Sequence, residues 1–187
     1  MVFVPCSGKR PTIQWQKLTK TPGGGWKHAK QAGILTGKVN GITIIDVDDD
    51  LEWFKAFQIK HGLGATATVC TGSGGLHLYY EYDARVNTNT DGWGNARYGA
   101  EHVIKIDCRN DGGMAIFPGS VYEIHETNRE KHSEKLKHEG KLYEWLEGLD
   151  MDLILPLPEI YVKWAAFGMN KSTMEPFQPK LSTTRIV

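Results

Sequence analysis

The sequence predicts an α+β fold, a mixed or antiparallel sheet with flanking helices, and three observations carry that expectation. A helical pattern comes early, a run of short strand patterns follows with no helix between them, and helical patterns return near residues 142–149 and 158–167. With 40% hydrophobic residues in 187, the chain has enough apolar material for a core, and it reads as one domain over 1–169 with a tail or linker over 170–187.

Glycines and prolines punctuate the first quarter. Thr21-Pro22-Gly23-Gly24-Gly25 marks a loop, and Gly33, Gly37 and Gly41 flank short segments leading to Ile42-Thr43-Ile44-Ile45-Asp46-Val47-Asp48. That run predicts a central strand, because β-branched residues fill nearly every place, as they do where both faces are covered. Asp49 with Glu52 three residues on forms a capping-box pattern for a helix from about Asp50 to His61, which Gly62 and Gly64 stop. Further strands are expected over Ala67–Cys70, Leu76–Tyr82, Val103–Cys108, Met114–Phe117 and Val121–Glu126. Residues Asp83 to Glu101 are rich in Asn and Gly and predict a long mobile loop, and helices are expected over Leu142–Leu149 and Pro158–Phe167. From Asn170 onward apolar periodicity ends, and Pro176 and Pro179 suggest a linker to a continuation.

Composition narrows the function classes. The net charge of zero argues against a protein that coats nucleic acid by general electrostatics. The distribution is uneven: residues 1–45 carry seven basic side chains and no acid, and the remainder carries −7. Such a segment running into an acidic cluster is what phosphate steering towards a metal site would require, and a solvated basic arm is the plainer alternative. Cys6, Cys70 and Cys108 form no CxxC pair and lie in or beside apolar stretches, which disfavours structural zinc and disulfides. No apolar run is long enough to span a membrane and no signal-peptide pattern opens the chain, so an intracellular protein with no membrane partner is expected.

Three segments carry candidate chemistry. Asp46 and Asp48 leave the same face of an extended strand about 7 Å apart and can share hard divalent cations. A turn that only caps the next helix is the alternative, and it is preferred for Asp49 and Asp50. Asp46, following a strand run with three isoleucines, should be at least half buried and then needs a cation. Thr71-Gly72-Ser73-Gly74-Gly75 joins two strands; glycines let a backbone approach phosphate oxygens, and Ser73 can donate to them. His77 and Tyr79 share a face of the strand that follows, although a lone strand histidine is more often structural. On the last segment Lys105, Asp107 and Arg109 alternate with Ile106 and Cys108. Asp107 is placed to complete a metal site and Arg109 to hold a phosphate with its planar fork, unless the strand is a plain charged ladder.

In this order the segments resemble the bifunctional primase-polymerase domain of the archaeo-eukaryotic primase superfamily. The resemblance runs over roughly residues 1–165: Lys9-Arg10-Pro11 and Trp15, a glycine-rich approach to Asp46-Val47-Asp48, the Ser73 to Tyr79 element, and Asp107, Arg109, Asp111-Gly112-Gly113, Pro118 and Ser120. One departure is Gly75, where the superfamily often has serine two residues before the histidine. The resemblance implies a primase-like catalytic core with an RRM-like sheet, and Asp46, Asp48 and Asp107 as catalytic residues holding two Mg2+ or Mn2+ ions. His77, Ser73, Arg109 and Ser120 would then bind the nucleotide. It also implies nucleoside triphosphates (dNTP or NTP) as substrates, a single-stranded DNA template and primer as partners, and a helicase or other replication module beyond the tail. The basic first segment and Arg85 or Arg97 would track template or primer phosphates, and Trp26 or Trp93 would stack on bases. The rivals are a DxD glycosyltransferase, which leaves His77 and Asp107 without roles, and a non-catalytic replication module binding single strands or nucleotides. A DxD phosphatase fails because Asp50 stands where threonine or valine is expected.

Overall fold

The computed structural model describes residues 1–48, 51–89, 96–98, 102–104 and 106–167, with backbone alone for 96–98, 102–104 and 166–167. Its strands are β1 (Phe3–Ser7), β2 (Arg10–Pro11), β3 (Gln31–Leu35), β4 (Ile42–Val47), β5 (Thr68–Cys70), β6 (Leu76–Glu81), β7 (Ala96–Tyr98), β8 (His102–Ile104), β9 (Ile106–Arg109), β10 (Met114–Ile116) and β11 (Glu144–Trp145). The helices α1 (Leu51–Lys60) and α2 (Glu159–Phe167) accompany four short 3-10 turns. The fold is α+β, as the succession of patterns predicts.

Two antiparallel sheets face each other. One has the order β10-β3-β1-β2 and the other β11-β5-β6-β4-β9, with β7 and β8 forming a separate two-stranded sheet. As its β-branched run predicts, β4 is central: it pairs with β6 on one side and β9 on the other, and all six of its residues are buried. Alternation along β4 divides the interior in two. Ile45 and Val47 face α1 and α2, packing in a cluster with Phe54, Phe57, Leu78, Cys108, Tyr161 and Trp164. Ile42 and Ile44 face the other sheet, where Val4, Cys6, Ile34, Ile116 and Tyr79 close a second cluster.

The structure corrects several expectations. The helix expected over Leu142–Leu149 is absent; instead β11 pairs with β5, and Leu146 donates to the Thr68 carbonyl. Its apolar residues recur at helical spacing, but Tyr143 and Trp145 are needed in the core between the sheets, and an extended edge delivers both. Residues Val121–Glu126 alternate as a strand should, with Tyr122 and Ile124 buried, yet they make only a bridge from Val121 to Leu142 before a 3-10 turn at Glu126–Asn128. The strand expected over Val103–Cys108 divides into β8 and β9. The expected loop from Asp83 to Glu101 contains β7, and Asn89 bridges to Cys108. The capping roles of Asp49 and Asp50, the position of Lys105 and Trp93, the Arg97 side chain and the tail over 170–187 lie outside the described residues.

The cysteines are free thiols, and burial pushes Cys6 up to about 11 and Cys108 up to about 12, so both act as small hydrophobes. Among the described residues no helix is long and apolar enough to cross a membrane.

Candidate nucleotide and metal site

Cross-strand register builds the site. Asp46 on β4 stands directly opposite His77 on β6 and directly opposite Asp107 on β9, so the three side chains form a row on one face of the sheet. Directly opposed residues bring their Cβ atoms to roughly 4.5–5.5 Å, close enough for charges to interact strongly. Arg109, two residues along β9, shares that face, and its guanidinium donates to Asp46 Oδ2 at 3.0 Å and to Asp107 Oδ2 at 3.1 Å. His77 Nε2 lies 3.5 Å from Asp46 Oδ1, and its Nδ1 is buried without a hydrogen-bond partner among the described residues.

The row is deep: Asp46 is 8% exposed, His77 6% and Asp107 2%. Burial acts to raise the Asp46 pKa, but the charges of His77 and Arg109, the Arg109 hydrogen bond and the charge of Lys9 together hold it below its ordinary value. Burial pushes His77 below the usual imidazole value, against the pull of Asp46. The charges of His77 and Arg109 and the Arg109 hydrogen bond together favour the anionic state of Asp46.

Asp46 and His77 of this row contribute to one wall of a cavity of about 410 Å³ between the two sheets, within the range of small-ligand sites, whereas Asp107 does not line it. Asp46, Asp48, Ser73, His77 and Arg109 all line it. Ser73 sits on the turn between β5 and β6, its hydroxyl 3.0 Å from that of Thr71, which in turn accepts from the Gly75 N–H at 2.8 Å. Gly75 has a steric cause: a Cβ there would lie 2.5 Å from the Val47 carbonyl oxygen and 3.3 Å from the Asp48 Cα. A serine at that position would collide with the end of β4, so the hydroxyl near this turn comes from Ser73.

Ser120 is not brought to the cavity. Its buried hydroxyl accepts from the Ala32 N–H at 3.0 Å and fastens the segment after β10 to β3. Arg85 is spent elsewhere, on Asp83 and on Glu159 at the start of α2, and Trp26 donates its indole N–H to the Pro22 carbonyl. Sequence reasoning did not single out Tyr122 and Tyr143, which line the cavity beside His77, with the His77 and Tyr143 rings 5.9 Å apart. Both belong to segments whose secondary structure the sequence pattern misassigned. Lys9 also lines the cavity, its ammonium 4.5 Å from the centre of the Tyr122 ring. The signal for it was present in Lys9-Arg10-Pro11, within the basic first segment to which phosphate steering was assigned as a whole.

The donor set suits a hard divalent cation in chemistry: carboxylates of adjacent strands on one face, with Asp48 at the end of β4 and an unpartnered imidazole nitrogen beside them. The side chains as arranged do not converge as a three-ligand cluster among the described residues, and the Arg109 guanidinium stands between Asp46 and Asp107. That guanidinium is a monovalent counter-charge at the place a cation would take. Fit therefore requires Arg109 to turn outward, towards the cavity it already lines.

Among curated proteins none matches the chain. The sequence model of one family, described as bifunctional DNA primase/polymerase, N-terminal, matches residues 1–160 and so takes in every residue of the cavity wall. The chain belongs to the bifunctional DNA primase/polymerase family.

Proposed function

We propose that the cavity is a nucleotidyl-transfer site at which the chain synthesises primers, or extends DNA or RNA chains, from nucleoside triphosphates on a single-stranded template. The observation that carries this reading is the row Asp107–Asp46–His77, buried and capped by Arg109, in a chain of the primase/polymerase family. The family supports nucleotides and nucleic acid as substrates, and the two-sheet core is read as the primase-type catalytic core.

Asp46, Asp48 and Asp107 would hold two magnesium or manganese ions. Bound there, such ions supply the charge that lowers the pKa of an attacking 3′-hydroxyl and neutralises a leaving pyrophosphate. The chain's own side chains do the rest by position. Arg109 presents a planar fork of donors that exchanges carboxylates for phosphate oxygens as it turns into the cavity. His77, whose Nδ1 has no hydrogen-bond partner among the described residues, would contact a phosphate from its place in the cavity wall. Ser73 offers a hydroxyl from the turn between β5 and β6, and fixed donors of this kind stabilise charge as it develops in a transition state. The setting of such a reaction is intracellular, with a helicase or other replication module as a partner.

The test is incorporation of labelled nucleotides on an unprimed single-stranded template, with each nucleotide class and each metal in turn. Asp46→Ala, Asp48→Ala and Asp107→Ala are expected to abolish incorporation in protein that stays folded. Retained incorporation by folded Asp46→Ala protein would overturn the mechanism. A second reading, a replication module that binds strands or nucleotides without transfer, is favoured by the ion pairs of Arg109 with both buried carboxylates. Strand binding with no incorporation under either metal would decide for it.

A further inference from the structure

Opposite the acidic row the cavity has a second wall, to which Lys9, Arg10, Asn128, His132 and Lys135 contribute. Its edge is the hairpin joining β1 to β2. Cys6 pairs with Pro11 and Ser7 with Arg10, which leaves Gly8 and Lys9 as the two turn residues, with φ of 56° and 66°. Two positive φ values in succession are what a type I′ turn demands, and glycine or asparagine meets that demand at lower cost than lysine. Among the described residues Lys9 is the one non-glycine residue with positive φ. Backbone held in such a region persists where its surroundings over-determine it, and it clusters at binding sites.

The surroundings of this turn fix it from two sides. The Lys9 N–H donates to Gln31 Oε1 at 2.7 Å, and the Gly8 N–H donates to Glu123 Oε2 at 3.2 Å. A Cβ on Gly8 would lie 2.7 Å from the His125 Cα, so the tip is wedged against the segment after Tyr122. From that tip the Lys9 ammonium reaches over the Tyr122 ring, and its charge helps hold Asp46 below its ordinary value.

Three cations of this region are held in ion pairs among the described residues. Lys30 pairs with Glu123, Arg129 with Glu139, and Arg109 with Asp46 and Asp107. Lys9, Arg10 and Lys135 make no ion pair among the described residues, and the one side-chain hydrogen bond of Arg10 is to Asn128 Oδ1 at 3.4 Å. Three cations without an ion pair among the described residues thus line the same cavity as Asp46 and Asp48. An aromatic face holds an ammonium weakly, whereas a phosphate oxygen holds it through a charge-assisted hydrogen bond.

We propose that Lys9 is a phosphate-binding residue, and that with Arg10 and Lys135 it forms a cationic wall that grips the polyphosphate of a nucleoside triphosphate across the cavity from Asp46 and Asp48. The proposal rests on the nucleotide reading of the cavity given above. Lysine suits the task because its ammonium is a compact charge on a flexible stem, able to leave the Tyr122 ring for a phosphate while the backbone stays fixed. A cavity of about 410 Å³ lies in the size range of small-ligand sites and suits a nucleotide.

The test is equilibrium dialysis of the full chain with dATP, with dAMP and with a single-stranded oligonucleotide, each in magnesium without template. Lys9→Gly removes the ammonium at a position whose backbone favours glycine, so the protein should fold with an unchanged or higher Tm. It is expected to weaken dATP binding about tenfold and to lose most of the preference for dATP over dAMP. Lys9→Arg should bind within about twofold of the parent, since it keeps the charge. If the parent binds dATP and Lys9→Gly binds it equally well, the cationic wall falls and the nucleotide site stands. Weakened oligonucleotide binding with unchanged dATP binding also overturns the proposal, assigning the wall to a nucleic-acid strand. If the parent binds no dATP, both readings fall together.

Discussion

On the face of β4 turned to the helices, Ile45 meets Leu78 and Cys108 across the sheet and Val47 meets Leu76 and Ile106, so each apolar residue has apolar neighbours on both sides. On the opposite face Ile44 meets Tyr79 and Arg109, and two residues later Asp46 meets His77 and Asp107. The same strand thus contributes to a dry core and to a buried polar row, with a shift of one residue separating them. A slip of register by one residue would exchange the two faces, which no sheet packed on both sides tolerates. The helix-side face fixes the register, and the fixed register aligns the polar row. Stability and chemistry are divided between alternate residues of one strand.

The division can be broken from the dry side with the largest effect. Phe54 on α1 is fully buried against the helix-side face. Phe54→Ala should cost about 3–5 kcal/mol of stability, the range for deleting a buried ring, and activity should fall only as the folded fraction falls. Denaturant unfolding followed beside nucleotide incorporation checks this. Incorporation lost from Phe54→Ala protein that remains fully folded would show that the two faces are not separable. Asp46→Ala gives the mirror image, with activity gone and the unfolding midpoint close to the parent's.

Local pattern made one side of this division readable from sequence. The β-branched run marked β4 as central, and the alternation at Leu76 to Tyr79 and Ile106 to Arg109 put His77, Asp107 and Arg109 on the proper faces of their own strands. What joins them is register between strands distant in sequence, and no periodicity encodes that. The second wall was less legible for a different reason. Tyr122 and Tyr143 lie on extended segments that pair mainly with each other's loop, with Tyr122 donating to the Lys141 carbonyl and Tyr143 to the Ser120 carbonyl. Such segments carry neither a strand's length nor a helix's packing, so the Leu142 to Leu149 spacing suggested a helix that tertiary contacts override. Ser120 illustrates a limit of motif reasoning: its hydroxyl lies at the expected place in the chain and is turned to the Ala32 backbone.

A subtler break comes from the turn between β5 and β6, where the two roles meet. Gly75→Ser restores the residue common in the superfamily, but its Cβ would press on the Val47 carbonyl and the Asp48 Cα. Overpacking of this kind costs about 1–3 kcal/mol, and here the strain falls on the residue that ends β4 at the cavity. The expected outcome is a lowered Tm together with weaker dATP binding. A stable variant with parental dATP affinity would mean that Asp48 does not depend on the close approach at Gly75.

The smallest expected effect lies at the rim, where the hairpin tip that carries Lys9 is tied to the rest of the cavity. Glu123 accepts from Lys30 at 2.6 Å, from the Gly8 N–H at 3.2 Å and from the Ser7 hydroxyl at 3.4 Å. The hydrogen bond from Lys30 is the largest influence holding the Glu123 carboxyl below its ordinary value, outweighing the opposing effect of partial burial. A folded-state pKa below the unfolded one means that the unfolded chain takes up the proton first as pH falls. The stabilisation is therefore complete above the unfolded value of about 4.5 and is lost as pH drops through the folded value. Glu123→Gln removes the titration, so the Tm of the variant should fall less steeply than the parent's below about pH 4.5, the two differing by about 1–2 °C at neutral pH. The contact is half in water, and salt should shrink the neutral-pH difference. Parallel acid limbs for the two proteins would show that the tip is held by its backbone contacts to Gln31 and His125 alone, and that the Lys9 ammonium keeps its place without the Glu123 charge.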